Sequence, residues 1–220
     1  MASENTQTKI VYEGGEGEIV EKKSRFIATV RPVTSEEEAV RFIADMKKKY
    51  WDARHNCSAF VIGERQEITR CSDDGEPAQT AGRPMLDVLL KEGITNVAVV
   101  VTRYFGGVLL GTGGLVRAYQ KAVQEGLAAS RILEKTAGYQ LRVRTDYNGV
   151  GKLQYLFGQQ KLSIVDSEYA ADVLLTVMVP AGQKEAIGKA ITEQTSGNAQ
   201  MEWGDVLTYA MVDGNVELFG

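Results

Sequence analysis

Several features that define common protein classes are missing from these 220 residues. No apolar run approaches the roughly 18 residues needed to cross a bilayer, so a membrane span is excluded. The N-terminus has no basic stretch followed by an apolar one, so no secretory signal is visible. Only two cysteines are present, 14 residues apart and without a vicinal motif, which excludes a disulfide framework. We therefore expect a cytoplasmic protein with reduced thiols.

The chain also lacks a positive surplus, because 25 Lys and Arg stand against 29 Asp and Glu. Binding to phosphates irrespective of sequence requires positive charge, so a wholly basic nucleic-acid coat is excluded. The charge is uneven, since residues 1–136 hold 19 basic and 19 acidic side chains, whereas residues 137–220 hold 6 and 10. Six basic and three acidic side chains fall within residues 91–136, which form the one basic neighbourhood of any size.

The first part of the chain mixes strand and helix patterns. Ser35 to Glu38 has the capping-box pattern, in which the serine hydroxyl accepts from a first-turn amide and the glutamate reaches back. Apolar residues then recur on one face, which predicts a helix over residues 36–50. Residues 96–104 are apolar without alternation, as is typical of a strand buried on both faces. The other expected elements are paired strands within 18–31, strands over 55–62 and 66–71, and helices over 86–91 and about 115–129.

From Ala137 the pattern becomes strand, helix, strand, strand, helix, strand. This βαββαβ order is that of the split βαβ, ferredoxin-like sandwich. We therefore predict an α+β protein of two domains, residues 1–136 and 137–220. The connection Glu134-Lys135-Thr136 is too short for a flexible tether.

Five glycines crowd the segment between the buried strand and the helix that follows it. They are Gly106, Gly107, Gly111, Gly113 and Gly114. Such a segment lets backbone amides approach an anion, and the positive end of the helix dipole favours negative charge there. It is not a Walker A loop, because Thr112 stands where lysine is required, nor a GxGxxG fingerprint. The alternative is that the glycines serve tight turns and close packing of the helix on the sheet.

Arginines and aromatic residues flank this glycine segment. Arg103 and Tyr104 precede it and Arg117 follows it. Arginine beside aromatic rings near a helix N-terminus suits phosphate contact and base stacking. Among the aromatic residues, Phe105 is expected in the core, and Tyr104 or Tyr119 at the surface.

A second glycine-bearing segment, Thr80 to Arg83, also precedes a predicted helix. Thr80, Gly82 and Arg83 together would complete an anion site. The alternative is an ordinary helix N-terminus with Pro84 in the first turn.

Three carboxylates stand within four positions, at Asp73, Asp74 and Glu76. They would hold Mg²⁺ or act as an acid and base, and the alternative is a solvated turn. His55 and Cys57, two apart on a strand, lie about 6.6 Å apart along it, which disfavours a catalytic dyad. No paired ligand spacing of a zinc site and no nucleophile motif is present.

Two segments resemble the IMPACT family, in its bacterial YigZ type. They are residues 72–77 with 80–86, and residues 103–107 with 110–119, and the resemblance covers essentially the whole chain. It implies an N-terminal α/β domain like domain two of ribosomal protein S-five. It also implies a C-terminal ferredoxin-like domain resembling the last domain of the translocation elongation factor. No catalytic residue set comes with the resemblance.

One position departs from the family pattern, because Gln79 stands where family members usually have glycine. The eukaryotic relatives regulate translation by competing for an activator of an amino-acid-starvation kinase, and they use an additional N-terminal domain for this. That pathway is not transferred to this chain. For bacterial members the resemblance implies nucleic-acid or ribosome-linked binding related to translation.

We therefore predict a non-catalytic protein that binds RNA or the ribosome, without a membrane or a cofactor. Lys121 and Arg131 would add long-range attraction to the phosphates. The residues predicted to contact nucleic acid are Thr80, Gly82, Arg83, Arg103, Tyr104, Gly106, Gly107, Gly111, Gly113, Gly114, Arg117 and Lys121. One alternative is a nucleotide-binding enzyme that uses the glycine segment and Mg²⁺ at the three carboxylates. Another is a regulator that binds a translation-related protein.

Overall fold

The computed structural model describes residues 8–219, and their contacts divide into a unit of Thr8–Leu133 and a unit that begins at Glu134. The helices are α1 (Glu36–Lys49), α2 (Gly82–Glu92), α3 (Thr112–Ala128), α4 (Tyr147–Gln159) and α5 (Lys184–Gln194). The strands are β1 (Thr8–Glu13), β2 (Glu16–Glu21), β3 (Ser24–Pro32), β4 (His55–Ile62), β5 (Ile68–Ser72), β6 (Ile94–Thr95), β7 (Val97–Tyr104), β8 (Arg131–Thr145), β9 (Ile164–Tyr169), β10 (Val173–Pro180), β11 (Gln200–Val212) and β12 (Asn215–Phe219). The described helices include none that is both long and apolar enough to cross a membrane.

An antiparallel sheet of order β2-β3-β7-β4-β5 forms the centre of the first unit. Val99 and Val101 of β7 belong to the core that the sheet shares with α2 and α3. Ala98 and Val100, on the other face of the same strand, belong to the core that includes α1. The prediction of a strand buried on both faces is confirmed, because helices cover both sides of the sheet.

Helix α1 begins at the predicted capping box, with one difference in its hydrogen bonds. The Ser35 hydroxyl accepts from the Glu38 amide at 3.2 Å. The Glu38 carboxylate reaches back one residue further than expected and accepts from the Thr34 amide at 2.7 Å. Three acidic residues in the first turn and three lysines in the last turn complement the helix dipole.

The antiparallel register brings the ends of several strands together at one end of this sheet. Arg25 of β3 pairs with Tyr104 of β7, and Arg103 pairs with His55 of β4. The β2–β3 turn, the end of β7 and the start of β4 therefore lie at the same end of the sheet. The glycine segment and α3 continue from this end, which is where the candidate site forms.

The second unit has the predicted order of β8, α4, β9, β10, α5 and β11, followed by β12. Its strands pair antiparallel in the order β9-β10-β8-β11-β12, and α4 and α5 share its apolar core. The α+β class with two domains is thus confirmed. Strands β1 and β12 were not predicted, and the predicted boundary at residue 136 falls inside β8.

Candidate functional site

The acidic loop at residues 72–77 is held by its own carboxylates. One oxygen of Asp73 accepts from the Ala81 and Gly82 amides at 3.0 and 2.8 Å. The other oxygen accepts from the Gln79 amide at 2.8 Å. Because charge-assisted hydrogen bonds to backbone amides are strong, Asp73 fixes the path of the chain into α2.

The polar groups of Thr80 and Gly82 consequently have partners within the protein. The Thr80 hydroxyl donates to the Pro77 carbonyl at 2.7 Å, and Thr80 is buried. The Gly82 amide is taken by Asp73, as described above. Arg83 is exposed and pairs with Asp87 one helical turn away at 2.8 Å. The structure therefore does not bring Thr80, Gly82 and Arg83 together as free donors around one anion.

Asp74 connects the loop to its neighbours on both sides. Its carboxylate pairs with Lys47 at the end of α1 and accepts from the Asn56 amide at 2.7 Å. Its carbonyl oxygen lies 2.9 Å from His55 Nδ1, and because a carbonyl only accepts, that nitrogen carries the proton. His55 thus has a structural partner in the loop.

Glu76 lies at the centre of a buried polar network with Arg103 and Tyr119. Its Oε1 accepts from Arg103 Nη1 at 2.6 Å and from the Tyr119 hydroxyl at 2.8 Å. Arg103 Nη2 also donates to Ser24 Oγ at 3.4 Å. The guanidinium of Arg103 lies over the Phe26 ring. Arg103 is therefore not placed on the predicted phosphate-contacting surface, because it compensates a buried carboxylate.

Burial also decides the state of Cys57 and Tyr119. Cys57 Sγ lies 3.0 Å from the Asp73 carbonyl and 3.3 Å from the Tyr119 hydroxyl. Burial raises the pKa of Cys57 to about 12, and it also raises the pKa of Tyr119. Neither group is ionised near neutral pH, so neither Cys57 nor Tyr119 is an activated nucleophile.

The three carboxylates predicted as weak metal candidates thus serve different partners. Asp73 binds backbone amides, Asp74 binds Lys47, and Glu76 binds Arg103. Within residues 8–219 no group of three or more His, Cys, Asp and Glu side chains is arranged to hold a metal ion.

Two of the aromatic assignments made from sequence are wrong, those of Phe105 and Tyr119. Tyr119 is completely buried, and its ring meets Phe26 edge to face at 5.2 Å. Phe105 is 47% exposed, whereas the sequence predicted it in the core. Tyr104 is half-buried, and its hydroxyl donates to Asp52 at 2.9 Å. The apolar periodicity of α3 explains Tyr119, which lies on the face of the helix that packs on the sheet.

The glycine segment owes part of its composition to close packing and turns. A Cβ at Gly106 would overlap the backbone of Lys23, and the Gly106 amide donates to Ser24 Oγ at 3.2 Å. Gly111, which precedes α3, has φ of +73° and open space around it, as Gly107 does. Gly113 lies beside Arg117, whose guanidinium would contact any side chain placed there. These observations support the packing alternative for Gly106 and the turn alternative for Gly111.

A cavity of about 250 Å³ opens beside the first turns of α3. It is lined by Ile19, Glu21, Lys22, Leu110, Gly114, Arg117, Ala118 and Lys121. We call it the cationic cavity, because Lys22, Arg117 and Lys121 all line it. It brings together Gly114, Arg117 and Lys121 from the predicted set, and it excludes Arg103.

The charge of the cationic cavity is not compensated. Within residues 8–219, Lys22, Arg117 and Lys121 form no ion pair and no side-chain hydrogen bond, and Glu21 forms none with them. Three positive and one negative side chain leave a formal surplus of two. An uncompensated positive surplus inside a cavity is suited to an anionic ligand.

Lys22 was not among the residues predicted from sequence. It lies in the two-residue turn between β2 and β3, where Lys22 and Lys23 have φ of 44° and 66°. Hairpin turns with two positive φ angles usually hold Asn and Gly, so two lysines are unusual there. The two lysines between the paired strands are therefore the sequence feature that could have indicated Lys22.

An apolar loop lies next to the cavity along the chain. Leu109 is 82% exposed and Val108 is 41% exposed, whereas Leu110 is buried and lines the cavity. Together with Phe105 they form exposed apolar surface in the segment that leads from β7 to α3. Such surface commonly contacts a partner or a ligand base.

Comparisons with known proteins agree with this organisation. A model of the Impact N-terminal domain matches residues 22–127, and a model of a domain of unknown function (DUF1949) matches residues 143–198. The chain is 42% identical to IMPACT family member YvyE of Bacillus subtilis over 199 residues, which are 90% of this chain and 91% of that protein. It is 37% identical to IMPACT family member YigZ of Escherichia coli over 182 residues, which are 82% and 89% of the two chains.

The match to a mammalian relative is shorter. Protein IMPACT of Mus musculus is 37% identical over 98 residues, which are 42% of this chain and 30% of that protein. A crystal structure described as a hypothetical protein has 35% identity and a TM-score of 0.56, covering 89% of this chain and 96% of that one.

Proposed function

Because the chain belongs to the IMPACT family, we propose that it is a translation-linked cytoplasmic protein that binds RNA, free or on the ribosome, through the cationic cavity. The observation that carries this proposal is the uncompensated surplus of two positive charges at Lys22, Arg117 and Lys121. Phosphate groups of nucleic acids bind such positions, and the release of counterions drives the association.

The overall charge of −4 is compatible with this proposal. Phosphate binding depends on the local field, and a Debye length of about 8 Å at physiological salt screens distant acidic residues. The exposed ring of Phe105, five residues before Leu110 of the cavity, gives a platform for an unstacked base. RNA with single-stranded or looped regions therefore fits better than a regular duplex.

The test is fluorescence anisotropy of a labelled, structured RNA at several salt concentrations. The variant Lys22→Gln/Arg117→Gln/Lys121→Gln removes the three positive charges of the cavity. Three lost phosphate contacts should lower the slope of log affinity against log salt by about 2–3. Arg103 is left intact, because its replacement would disturb the buried network with Glu76.

The matched control removes two lysines and one arginine that are exposed elsewhere on the first unit, as Lys48→Gln/Arg65→Gln/Lys91→Gln. Lys48 is on α1, across the sheet from α3. Arg65 lies in the β4–β5 turn, at the end of the sheet opposite the cationic cavity. The net charge changes equally in both variants. Equal salt slopes for the two variants would show that the cavity is not the RNA site.

The exposed apolar loop favours a second candidate function, a regulator that binds a translation-related protein. Leu109 and Val108 would insert into the partner. In that case Leu109→Ser would weaken capture of translation factors by at least tenfold, nuclease treatment would leave capture unchanged, and RNA affinity would stay as in the parent chain.

A further inference from the structure

We infer that the cationic cavity takes a terminal phosphomonoester, so that this protein recognises a phosphorylated RNA end rather than the interior of a strand. This inference rests on the proposed RNA-binding function and names the chemical group bound at the same site. Three observations carry it: the size of the cavity, its charge and the composition of its walls.

The size of the cavity matches that of one nucleotide. Its volume of about 250 Å³ is equivalent to about eight water molecules at roughly 30 Å³ each. A phosphate group with an adjoining sugar is of this size. An internal phosphodiester carries a nucleoside on each side and needs more space than this. The volume therefore matches one terminal nucleotide.

The charge of the cavity matches a phosphomonoester. Lys22, Arg117 and Lys121 with Glu21 give a formal surplus of two positive charges. A phosphomonoester carries about −1.5 to −2 at neutral pH, because its second pKa is about 6. An internal phosphodiester carries a single negative charge. A site built for a diester would leave one positive charge uncompensated.

The walls provide for the rest of a terminal nucleotide. Ile19, Leu110 and Ala118 are apolar surface against which a sugar or base can pack. Glu21 provides carboxylate oxygens that accept hydrogen bonds from ribose hydroxyls. Arg117 presents a planar donor set for two phosphate oxygens, whereas the two lysines act as point charges. This combination of an apolar wall, an acceptor and three cations suits a nucleotide end better than inorganic phosphate.

The experiment compares oligoribonucleotides of one sequence that differ only at their ends. Unlabelled competitors with a 5′-phosphate, a 3′-phosphate or two hydroxyl ends displace a labelled 5′-phosphorylated oligomer, read by anisotropy. We expect at least one phosphorylated competitor to bind tenfold or more tightly than the hydroxyl competitor at pH 7.5. That preference should fall below twofold in Lys22→Gln/Arg117→Gln/Lys121→Gln and stay intact in Lys48→Gln/Arg65→Gln/Lys91→Gln.

A second readout is the thermal stability of the full chain with adenosine 5′-monophosphate or adenosine. The monophosphate should raise the Tm of the parent chain, and adenosine should leave it unchanged. If all three competitors bind equally and lose affinity in the cavity variant, the inference is overturned and the proposed RNA binding stands. If no oligomer binds but the monophosphate raises the Tm, RNA binding is overturned and the phosphomonoester assignment stands.

Discussion

Arg103 and Glu76 show how burial changes the role of a charged residue. Their side chains are 7% and 3% exposed. The Tyr119 hydroxyl also donates to Glu76, and Arg103 also donates to Ser24. Breaking a buried pair from one side leaves an uncompensated charge in a medium of low dielectric constant. The loss of Glu76 should therefore lower the stability of the fold rather than the affinity for a ligand.

We expect Glu76→Ala to lower the free energy of unfolding by about 3–5 kcal/mol, measured by urea denaturation. The control is Glu18→Ala, because Glu18 pairs with Arg25 at the surface, where the two side chains are 39% and 53% exposed. That substitution should cost less than about 1 kcal/mol. Equal losses for the two variants would contradict a structural role for the buried pair.

The backbone conformation at position 79 explains why family members usually have glycine there. Gln79 has a φ of +62°, a left-handed conformation that costs residues with a Cβ about 1–2 kcal/mol. Gln79→Gly should therefore raise the free energy of unfolding by up to about 1 kcal/mol, after the entropy of the more flexible unfolded chain is subtracted. Ala78→Gly, next to it and without a positive φ, should not stabilise the protein. A gain for both variants would point to another cause.

The two thiols should differ in reactivity by a large factor. Cys57 is fully buried with a pKa near 12, and Cys71 is exposed. At pH 8 an aromatic disulfide reagent should modify one thiol per folded chain and two per denatured chain. Cys71→Ser should abolish the fast reaction. Rapid modification of Cys57 in that variant would show that the acidic loop opens readily.

At the scale of elements, the sequence predicted what local periodicity and capping determine. The helices α1 and α3 and the strand β7 have strong patterns, and they lie close to the predicted ranges. Strand β1 was missed because its short pattern becomes a strand only through pairing with a distant part of the chain. Strand β12 forms a hairpin with β11 through the two-residue turn Asp213-Gly214, a turn signal that the sequence analysis did not use. Arg103 was misplaced for a related reason, since its partner Glu76 is 27 residues away and spacing does not reveal a buried pair.

We expect both lysines of the β2–β3 turn to lower the stability of the fold, and Lys22 alone to strengthen RNA binding. Lys22 and Lys23 both have positive φ angles, which glycine adopts without strain. Lys22→Gly and Lys23→Gly should each raise the free energy of unfolding by up to about 1 kcal/mol. Only Lys22→Gly should weaken RNA binding, because Lys22 lines the cationic cavity. Equal RNA affinities of the two variants would remove Lys22 from the site.

At the scale of the whole molecule, the negative charge and the proposed ligand occupy different parts of the chain. Residues 137–220 hold four more acidic than basic side chains, whereas residues 1–136 are balanced. The order of the two domains was predictable, because each has its own periodicity and core. The cationic cavity was only partly predictable, because it joins residues from a hairpin turn and from a helix almost 100 positions later.

The length of β8 has a practical consequence for proteolysis and for dissecting the chain. This strand runs without interruption from Arg131 to Thr145, and Thr136 and Ala137 pair with Tyr209 and Thr208. Brief trypsin treatment should spare Lys135, which is buried in the strand, while exposed lysines such as Lys48 are cut first. A fragment that ends at residue 136 would remove strand residues from their partners and expose a bare sheet edge that invites aggregation. The boundary between the two units, at Leu133 and Glu134, falls inside this strand, so no cut between them leaves β8 intact.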